Sequence, residues 1–440
     1  MKNLPEKPPD IMDFPHINTV VSRYFTDESF RISVDGFNDR YLYWDELKYR
    51  ISDNQERLDT WVAMKVFRSQ RMEEIAYAQL NLQYLILPEI MRSLHSFDRY
   101  LSGTIQIHNR SLTLDKRYIV SSLIEEAIAS SILEGAVTTR REAKEMLEQK
   151  KKPKNSGEQM VLNNYETLQM IIRKKGDPLT PELLLEIQHT VTKGTIKPED
   201  VGHFRTSNDI NVVDAASGTV YHIPPPHTEI PILIFALCEF INNDDEERFI
   251  HPIIKGIILH FLIGYIHPFN DGNGRTARSL FYWYTLSREY WMIEYLSISR
   301  SILRSKRKYA LAYIHSEYDQ NDLTYFIKYQ IECIKEALAE LIAYLEERQN
   351  SQKKAHEMIR IYHDLNHRQA EILMEMMDHQ GQDFTIHQIA EKFNVVYQTA
   401  RTDLMHLESH GYITVTKRGK GYYYFVTESN LKTITDLSVR

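Results

Sequence analysis

Residues 265–280, YIHPFNDGNGRTARSL, gather one histidine, one acid, two glycines around an asparagine and two arginines. His267 is the one side chain there that takes up a proton near neutral pH without help from its surroundings. His267-Pro268 ends the helical pattern before it, because proline disfavours helix at the preceding residue. Asp271-Gly272-Asn273-Gly274 reads as a turn and RTARSLFYWYTL as a new helix. Gly272, Asn273 and Gly274 then stand at a helix N-terminus, where unpaired N–H groups and the dipole attract an anion, and glycine permits its close approach. Arg275 and Arg278, three apart, share a helix face, and two guanidinium forks suit a polyphosphate. Asp271 could hold the Mg²⁺ that accompanies a nucleotide. The chemistry implied is a bound nucleotide beside an activated hydroxyl. A glycine-rich helix corner with surface arginines explains a loose GxG, but not this whole set at fixed spacing.

The flanking chain reads as mainly α. IIKGIILHFLIGYI (253–266) is a buried helix, and helices continue from about 228 to 348, with Asp322 as a cap for LTYFIKYQIECIKEALAELIAYLEE. Between 203 and 226 the pattern alternates on both sides of Ser217-Gly218, which predicts a β-hairpin closed by three prolines. Upstream, Leu58, Val62, Val66, Ile75, Leu82 and Leu85 recur at helical spacing up to Pro88, so a helical region is expected from about 55 to 87. KRYIVSSLIEEAIASSILEG (116–135) is a second strong helix, stopped at Gly135. Thr139 with Glu142 forms a capping box, Thr180-Pro181 opens another helix, and KKKPKNSGE is a solvated loop. The polar run 347–357 reads as a linker. Beyond it, three helices and a hairpin about Gly419-Lys420-Gly421 make a winged helix over 358–440.

Four hundred and forty residues suggest two or three domains. A net charge of −7 argues against a globally basic nucleic-acid binder, though not against a local patch. Cys238 and Cys333 lie far apart without metal-type spacing, as expected in a reducing cytoplasm. MKNLPEKPPDIMDF lacks the apolar core of a signal peptide, and no membrane association is expected.

HPFNDGNGRTAR resembles the signature of the Fic family, over roughly residues 110–346, with residues 1–109 a mostly helical region before it. The resemblance implies an all-helical fold that transfers AMP from ATP to Ser, Thr or Tyr hydroxyls of proteins, with Mg²⁺ on Asp271. By it, His267 is the general base, Gly272, Asn273 and Gly274 cradle the phosphates, and Arg275 and Arg278 clamp them. The 203–226 hairpin resembles the family's flap, behind Gly202-His203-Phe204-Arg205; Ile210, Val212, Tyr221 and Ile223 would dock the target by edge augmentation. On composition alone that hairpin is equally a structural ribbon. Where relatives carry an aromatic pair at the adenine site, this chain offers only Tyr309 followed by Ala310. Ser130-Ser131-Ile132-Leu133-Glu134-Gly135 resembles the inhibitory motif of the class whose inhibitory helix lies in the same chain, which makes Glu134 the partner of Arg278.

Residues 381–440 hold seven Lys/Arg against six Asp/Glu. A wing tip of Lys417, Arg418 and Lys420, with Tyr397, Gln398, Thr399 and Arg401 at a helix start, could meet DNA, and a protein contact is the equal alternative. The leading function is an autoinhibited protein adenylyltransferase acting on an unknown target, itself included. The rival is a DNA-binding regulator whose nucleotide site only senses; a pure sensor needs the anion nest but no base, so His267 separates the two. Another nucleotide donor, removal of AMP, and oligomerisation stay open. A metallohydrolase lacks its HExxH, and no GxxxxGK[ST] loop is present.

Overall fold

The computed structural model describes residues 4–11, 14–103, 106–107, 110–111, 116–213, 217–244, 248–362, 364–379, 381–419 and 421–431. The chain divides into two units, Met1–Leu341 and Ile342–Arg440.

The first unit opens with α1 (Ile17–Thr26), α2 (Glu28–Arg40), α3 (Trp44–Leu47) and α4 (Asn54–Ser69). Asp27 and Asp53 cap α2 and α4 by accepting from the amides of Phe30 (3.1 Å) and Glu56 (2.8 Å). The helical pattern expected to run to residue 87 stops at Ser69. Its second half is an antiparallel pair, β1 (Glu73–Tyr77) and β2 (Leu80–Tyr84), in which Ile75 faces Leu82. Ile75, Tyr77, Leu82 and Tyr84 alternate as buried positions, so the true period there is two. Pro88 opens α5 (Pro88–Leu101) at its first position, where its missing N–H costs nothing.

Next come β3 (Gln106–Ile107), β4 (Arg110–Ser111), α6 (Lys116–Leu133), α7 (Arg140–Glu148), α8 (Ser156–Arg173) and α9 (Pro181–Thr192). The capping box of Thr139 with Glu142 and the Thr180 cap form as the sequence suggests. A short hairpin, β5 (Val212–Val213) with β6 (Val220–His222), precedes α10 (Ile230–Asn242), α11 (Pro252–Ile266), α12 (Asn273–Ser287), α13 (Ile298–Arg304), α14 (Lys306–Tyr318) and α15 (Thr324–Ile361). Helix α11 is buried on every face from Ile253 to Ile263 and packs along α12, which also meets α8 and α9. A Cβ on Gly256 would stand 3.3 Å from Phe281, Tyr284 and Thr285, so glycine sets how near the two helices lie.

Helix α15 begins in the first unit and continues to Ile361 in the second, so residues 347–357, read as a linker, are helical. The second unit holds α16 (His367–Asp378), α17 (Ile386–Lys392) and α18 (Tyr397–Ser409), followed by the antiparallel pair β7 (Thr414–Arg418) and β8 (Gly421–Phe425). Its core joins Ile372, Leu373, Met376, Ile389, Leu404 and Leu407, and Phe384 pairs with Tyr424 as a third edge to the wing. Among the described residues no helix is long and apolar enough to cross a membrane.

A buried polar cluster pins α4 to the α14–α15 corner. Lys65 Nζ lies 2.8 Å from Asp319 Oδ1, both nearly inaccessible. The Tyr325 hydroxyl donates to Asp319 Oδ2 (2.9 Å), and Arg68 donates to that hydroxyl and to the Leu42 carbonyl. Removing one partner of a buried pair strands the other's charge, so Lys65→Met is expected to destabilise the first unit by about 3–5 kcal/mol. Urea unfolding measures this, and a loss below about 1 kcal/mol would show that the pair does not hold this corner.

Candidate functional site

The site forms where α11 must end and α12 begin. His267 is the C-cap of α11, with a left-handed φ of 47° and its amide donating to Ile263 O at 3.0 Å. That conformation costs a non-glycine residue roughly 1–2 kcal/mol. Arg205, only 3% exposed, holds it in place. Its Nε donates to His267 O (2.9 Å), Nη1 to Ser207 O (2.9 Å) and Nη2 to Pro225 O, while its amide donates to Pro268 O (2.9 Å). Burial lowers the Arg205 pKa from its ordinary value. The imidazole Nδ1 of His267 lies 3.2 Å from the Gly264 carbonyl. With that nitrogen donating, Nε2 keeps its lone pair free to accept a proton. Burial, opposed by the Gly264 hydrogen bond, pulls the His267 pKa down to about 4, so the ring is neutral at physiological pH.

At the other end of the loop, Gly272 has φ 86° and caps α12. A Cβ there would come within 2.6 Å of Thr192 Cγ2, so space and backbone both demand glycine. Asn273 closes the loop through Phe269, accepting from its amide (3.0 Å) and donating to its carbonyl (2.8 Å). Gln188 on α9 donates to Asp271 O (3.2 Å) and accepts from Gly202 N (2.5 Å), which ties the loop to the segment that carries Arg205. The first-turn N–H groups of α12 have no intrahelical acceptors, as at any helix start.

The two arginines diverge. Arg275, 1% exposed, donates to Val191 O (3.0 Å) and to Asp271 Oδ1 (3.0 Å), and its Nε has no acceptor. Arg278 turns to α6: Nε donates to Ser130 Oγ (2.9 Å), and Nη2 to Ser130 O (3.1 Å) and Glu134 Oε1 (2.9 Å). Arg278 Nη1 is buried without a partner. Burial raises the Glu134 pKa, but Arg278 and Arg275 outweigh it and hold the carboxyl below the usual carboxylate range. Glu134 Oε1 would lie 2.2 Å from a Cβ on Gly274, so its carboxylate sits directly against the first turn of α12. Helix α6 is itself core, with Leu123, Ile124, Ala127 and Ile128 buried. The buried Glu126 accepts from Ser299 N (2.9 Å) and Ser297 Oγ (3.2 Å), and Asn164 donates to Ala127 O (3.2 Å).

The structure thus sets His267, Asp271, Gly272, Asn273 and Gly274 on one loop, with Glu134 and Arg278 paired against the first turn of α12, while Arg275 turns towards α9. Tyr309 is packed in the core, its hydroxyl 2.9 Å from His260 Nε2 and its ring against Tyr313 and Phe326. In the hairpin, Val212 pairs with His222 and Val213 with Val220; Ile210 and Ile223 lie just outside the strands, and Tyr221 within β6. His222 secures it, Nε2 meeting Tyr265 O (2.6 Å) and Nδ1 Glu317 (2.7 Å). Val213, Val220 and Ile223 are exposed. In the second unit Tyr397 and Val396 are exposed at the start of α18, while Arg418 pairs with Asp383; Lys420 lies outside the described residues. Sequence reasoning passed over the work of Arg205, Gln188 and Ser130, whose roles depend on contacts more than 60 positions away along the chain or on the opposite wall of the cleft.

The family model of the Fic/DOC family matches residues 178–285, which hold the hairpin, α11 and the whole His267–Arg278 loop. The chain carries a Fic domain. An HTH domain model matches residues 368–423. Protein adenylyltransferase Fic from Nematostella vectensis is 34% identical over 107 residues, and that from Aedes aegypti 34% over 109, each covering 24% of this chain. The chain spans only 23% and 19% of those relatives' lengths. A solved Fic family protein from Desulfovibrio desulfuricans superposes with a TM-score of 0.51 at 20% identity, over 77% of this chain and 95% of that one, a likeness of fold. Glu134 lies outside the stretch matched as the Fic domain.

Three imidazoles of the first unit, those of His260, His267 and His315, are buried and neutral. Burial takes His260 to about 3 and His267 and His315 to about 4, whereas unfolded imidazoles protonate near 6.5. Between about pH 6.5 and 4 the unfolded chain binds more protons, so stability should rise with pH across that window. Urea midpoints at pH 4.5, 5.5 and 6.5, with NMR titration of His267, test this; a His267 resonance titrating above pH 6 would contradict it.

Proposed function

We propose that this chain transfers AMP from ATP to a Ser, Thr or Tyr hydroxyl of a protein, and that Glu134 restrains the transfer. The observation that carries the reading is the Glu134 carboxylate, seated on the first turn of α12 and bonded to Arg278. A carboxylate bound there occupies the anion position at the helix N-terminus that a nucleotide's phosphates would take. The names of the curated relatives support AMP as the group transferred, over the quarter of this chain that they match.

The residues present fit a triphosphate. Arg278 Nη1 is a buried donor without an acceptor, and Gly274, lacking a side chain, lets a carboxylate oxygen of Glu134 lie against the backbone where a phosphate oxygen would stand. They also fit Mg²⁺: Asp271 spends Oδ1 on Arg275 and Gly272 and keeps a half-exposed side chain. When bound there, Mg²⁺ would neutralise phosphate charge. The hairpin, through Ile210, Val212, Tyr221 and Ile223, would align a target segment along its edge, beside the exposed side chains of Val213, Val220 and Ile223. The target oxygen then attacks the α-phosphorus and its proton passes to His267 Nε2. The bond from that phosphorus to the bridging oxygen breaks, and diphosphate leaves. The α-phosphorus must lie in line between attacking and leaving oxygens, so positioning dominates the rate. Tyr309 would bound the nucleotide cleft from behind rather than form an open adenine slot.

A second role rests on the HTH match. Helix α18 presents Tyr397, Gln398 and Arg401 on its exposed first turns, the end that such helices offer to the major groove. Binding to duplex DNA should then weaken steeply between about 50 and 200 mM salt. Binding absent at low salt on varied duplexes would point instead to a protein partner.

His267→Ala should lower transfer by about 10²–10⁴-fold and leave ATP affinity nearly unchanged, because the imidazole acts on the incoming hydroxyl. Nucleotides labelled at the α-phosphate measure the transfer, and comparing ATP with GTP, CTP and UTP identifies the donor. Undiminished labelling by the variant removes the base from the scheme.

Glu134→Gly should accelerate labelling, self-labelling included, by about 30- to 150-fold, if the restrained arrangement is favoured by about 2–3 kcal/mol. Adding Arg278→Ala should cancel most of the gain, since it removes the phosphate clamp together with the partner of Glu134. Equal labelling by wild type and Glu134→Gly would reduce SSILEG to a helix end.

A further inference from the structure

We propose that Asp364, His406 and His410 in the second unit form a binding site for a borderline divalent metal ion, Zn²⁺ foremost. A ligand atom from each of the three side chains lies within 4.8 Å of the others. His406 and His410 are four apart on α18, so they share one face, and their rings stack with centroids 4.2 Å apart at 25°. His410 Nδ1 lies 2.8 Å from His406 O and donates to it, which leaves the lone pair on Nε2. Ligating histidines are habitually held this way, with the second nitrogen donating to a backbone carbonyl. His410 Nε2 stands 3.8 Å from Asp364 Oδ2. The other carboxylate oxygen, Oδ1, accepts from the Tyr412 hydroxyl at 3.0 Å, which orients the group. An independent sign comes from His406, whose Nδ1 is buried with no hydrogen-bond partner.

Two imidazoles and one carboxylate, with water in the fourth position, make a set that suits Zn²⁺ and its neighbours better than Mg²⁺ or Ca²⁺. Bonds of about 2.0–2.1 Å to a tetrahedral ion place ligand atoms roughly 3.3 Å apart. The set must therefore contract by about 1.5 Å at most, which rotation of the exposed Asp364 and His410 side chains can supply. Bound metal would fasten the C-terminal end of α18 to the turn that leads into α16. Its plain competitor is a His410–Asp364 ion pair that needs no metal.

The test uses the full chain stripped with a chelator. Zn²⁺ is titrated against a chromophoric competitor, and thermal unfolding is followed with and without Zn²⁺. The expected result is one Zn²⁺ lost by His410→Ala and by Asp364→Asn, each weakening binding on the order of 100-fold, the share of one ligand in such a site. Tyr412→Phe should weaken it by about 10-fold through the carboxylate it orients. Zn²⁺ should raise the melting temperature of wild type but not of His410→Ala, whose metal-free melting should match wild type, so that misfolding is not the cause. Equal Zn²⁺ affinity and stoichiometry in wild type and His410→Ala, or the same thermal protection from Mg²⁺, would overturn the proposal.

Discussion

A guanidinium buried without a carboxylate, Arg205, spends its donors on the His267 carbonyl where α11 stops and on the carbonyls of Ser207 and Pro225. Two largely buried helices, α11 and α12, must be joined by a turn in the core, where water cannot satisfy exposed backbone groups. The chain makes that turn by placing His267 in a left-handed conformation and covering the resulting carbonyls with one planar cation. A lysine could not span them, because its three donors radiate from a single nitrogen. From this joint follow the free Nε2 of His267, the position of Asp271 and the aim of the α12 N-terminus. His267 and the α12 N-terminus are thus two ends of one strained loop, and a shift at Arg205 moves both.

Much of this loop was legible beforehand because its chemistry is local. Glycine at 272 and 274, the break at Pro268 and the two arginines lie within a dozen positions, and the caps at Thr139 and Thr180 are equally local. What failed needed distance. Ile75 and Leu82, seven apart, fit a helical period, yet the buried alternation with Tyr77 and Tyr84 makes a hairpin. Residues 347–357 looked like a linker because they are polar, but Glu, Gln, Lys and Ala are also strong helix formers and α15 runs through them. The divergence of Arg275 and Arg278 was hidden because a shared helix face says nothing about which neighbouring element each side chain will meet. Val191 draws one and Ser130 the other.

The two units solve the problem of polar groups differently. In the first, charge goes inward: Lys65 with Asp319, Arg68 with the Leu42 carbonyl, Arg205 and Arg278 among backbone oxygens. Each such group is costly alone and tolerable only when its neighbours are fixed, so this polar interior demands precise packing around it. In the second, the core is almost wholly aliphatic and aromatic, and charged side chains stay near the surface, with Arg368 on Asp403 as the chief inward pair. In that unit α16 and α17 carry capping boxes and α18 an apolar face at helical spacing, which is why its three helices and its wing were readable from sequence.

Glu134 is mounted on a helix that cannot easily leave. With Glu126 locked to Ser299, Asn164 on Ala127, and one whole flank buried, α6 is part of the interior rather than an attached arm. Its displacement would amount to local unfolding, on microsecond to second timescales, whereas a side chain about a third exposed rotates in picoseconds to nanoseconds. The cheaper motion is rotation of Glu134 about its own bonds, with the helix still in place. Contact between Glu134 and Arg278 is then broken by side-chain rotation alone, while α6 stays in place. If Glu134 restrains the transfer proposed above, such an arrangement would set the fraction of time Arg278 is free of it, a quantity that one neighbouring charge or one changed packing contact can tune continuously.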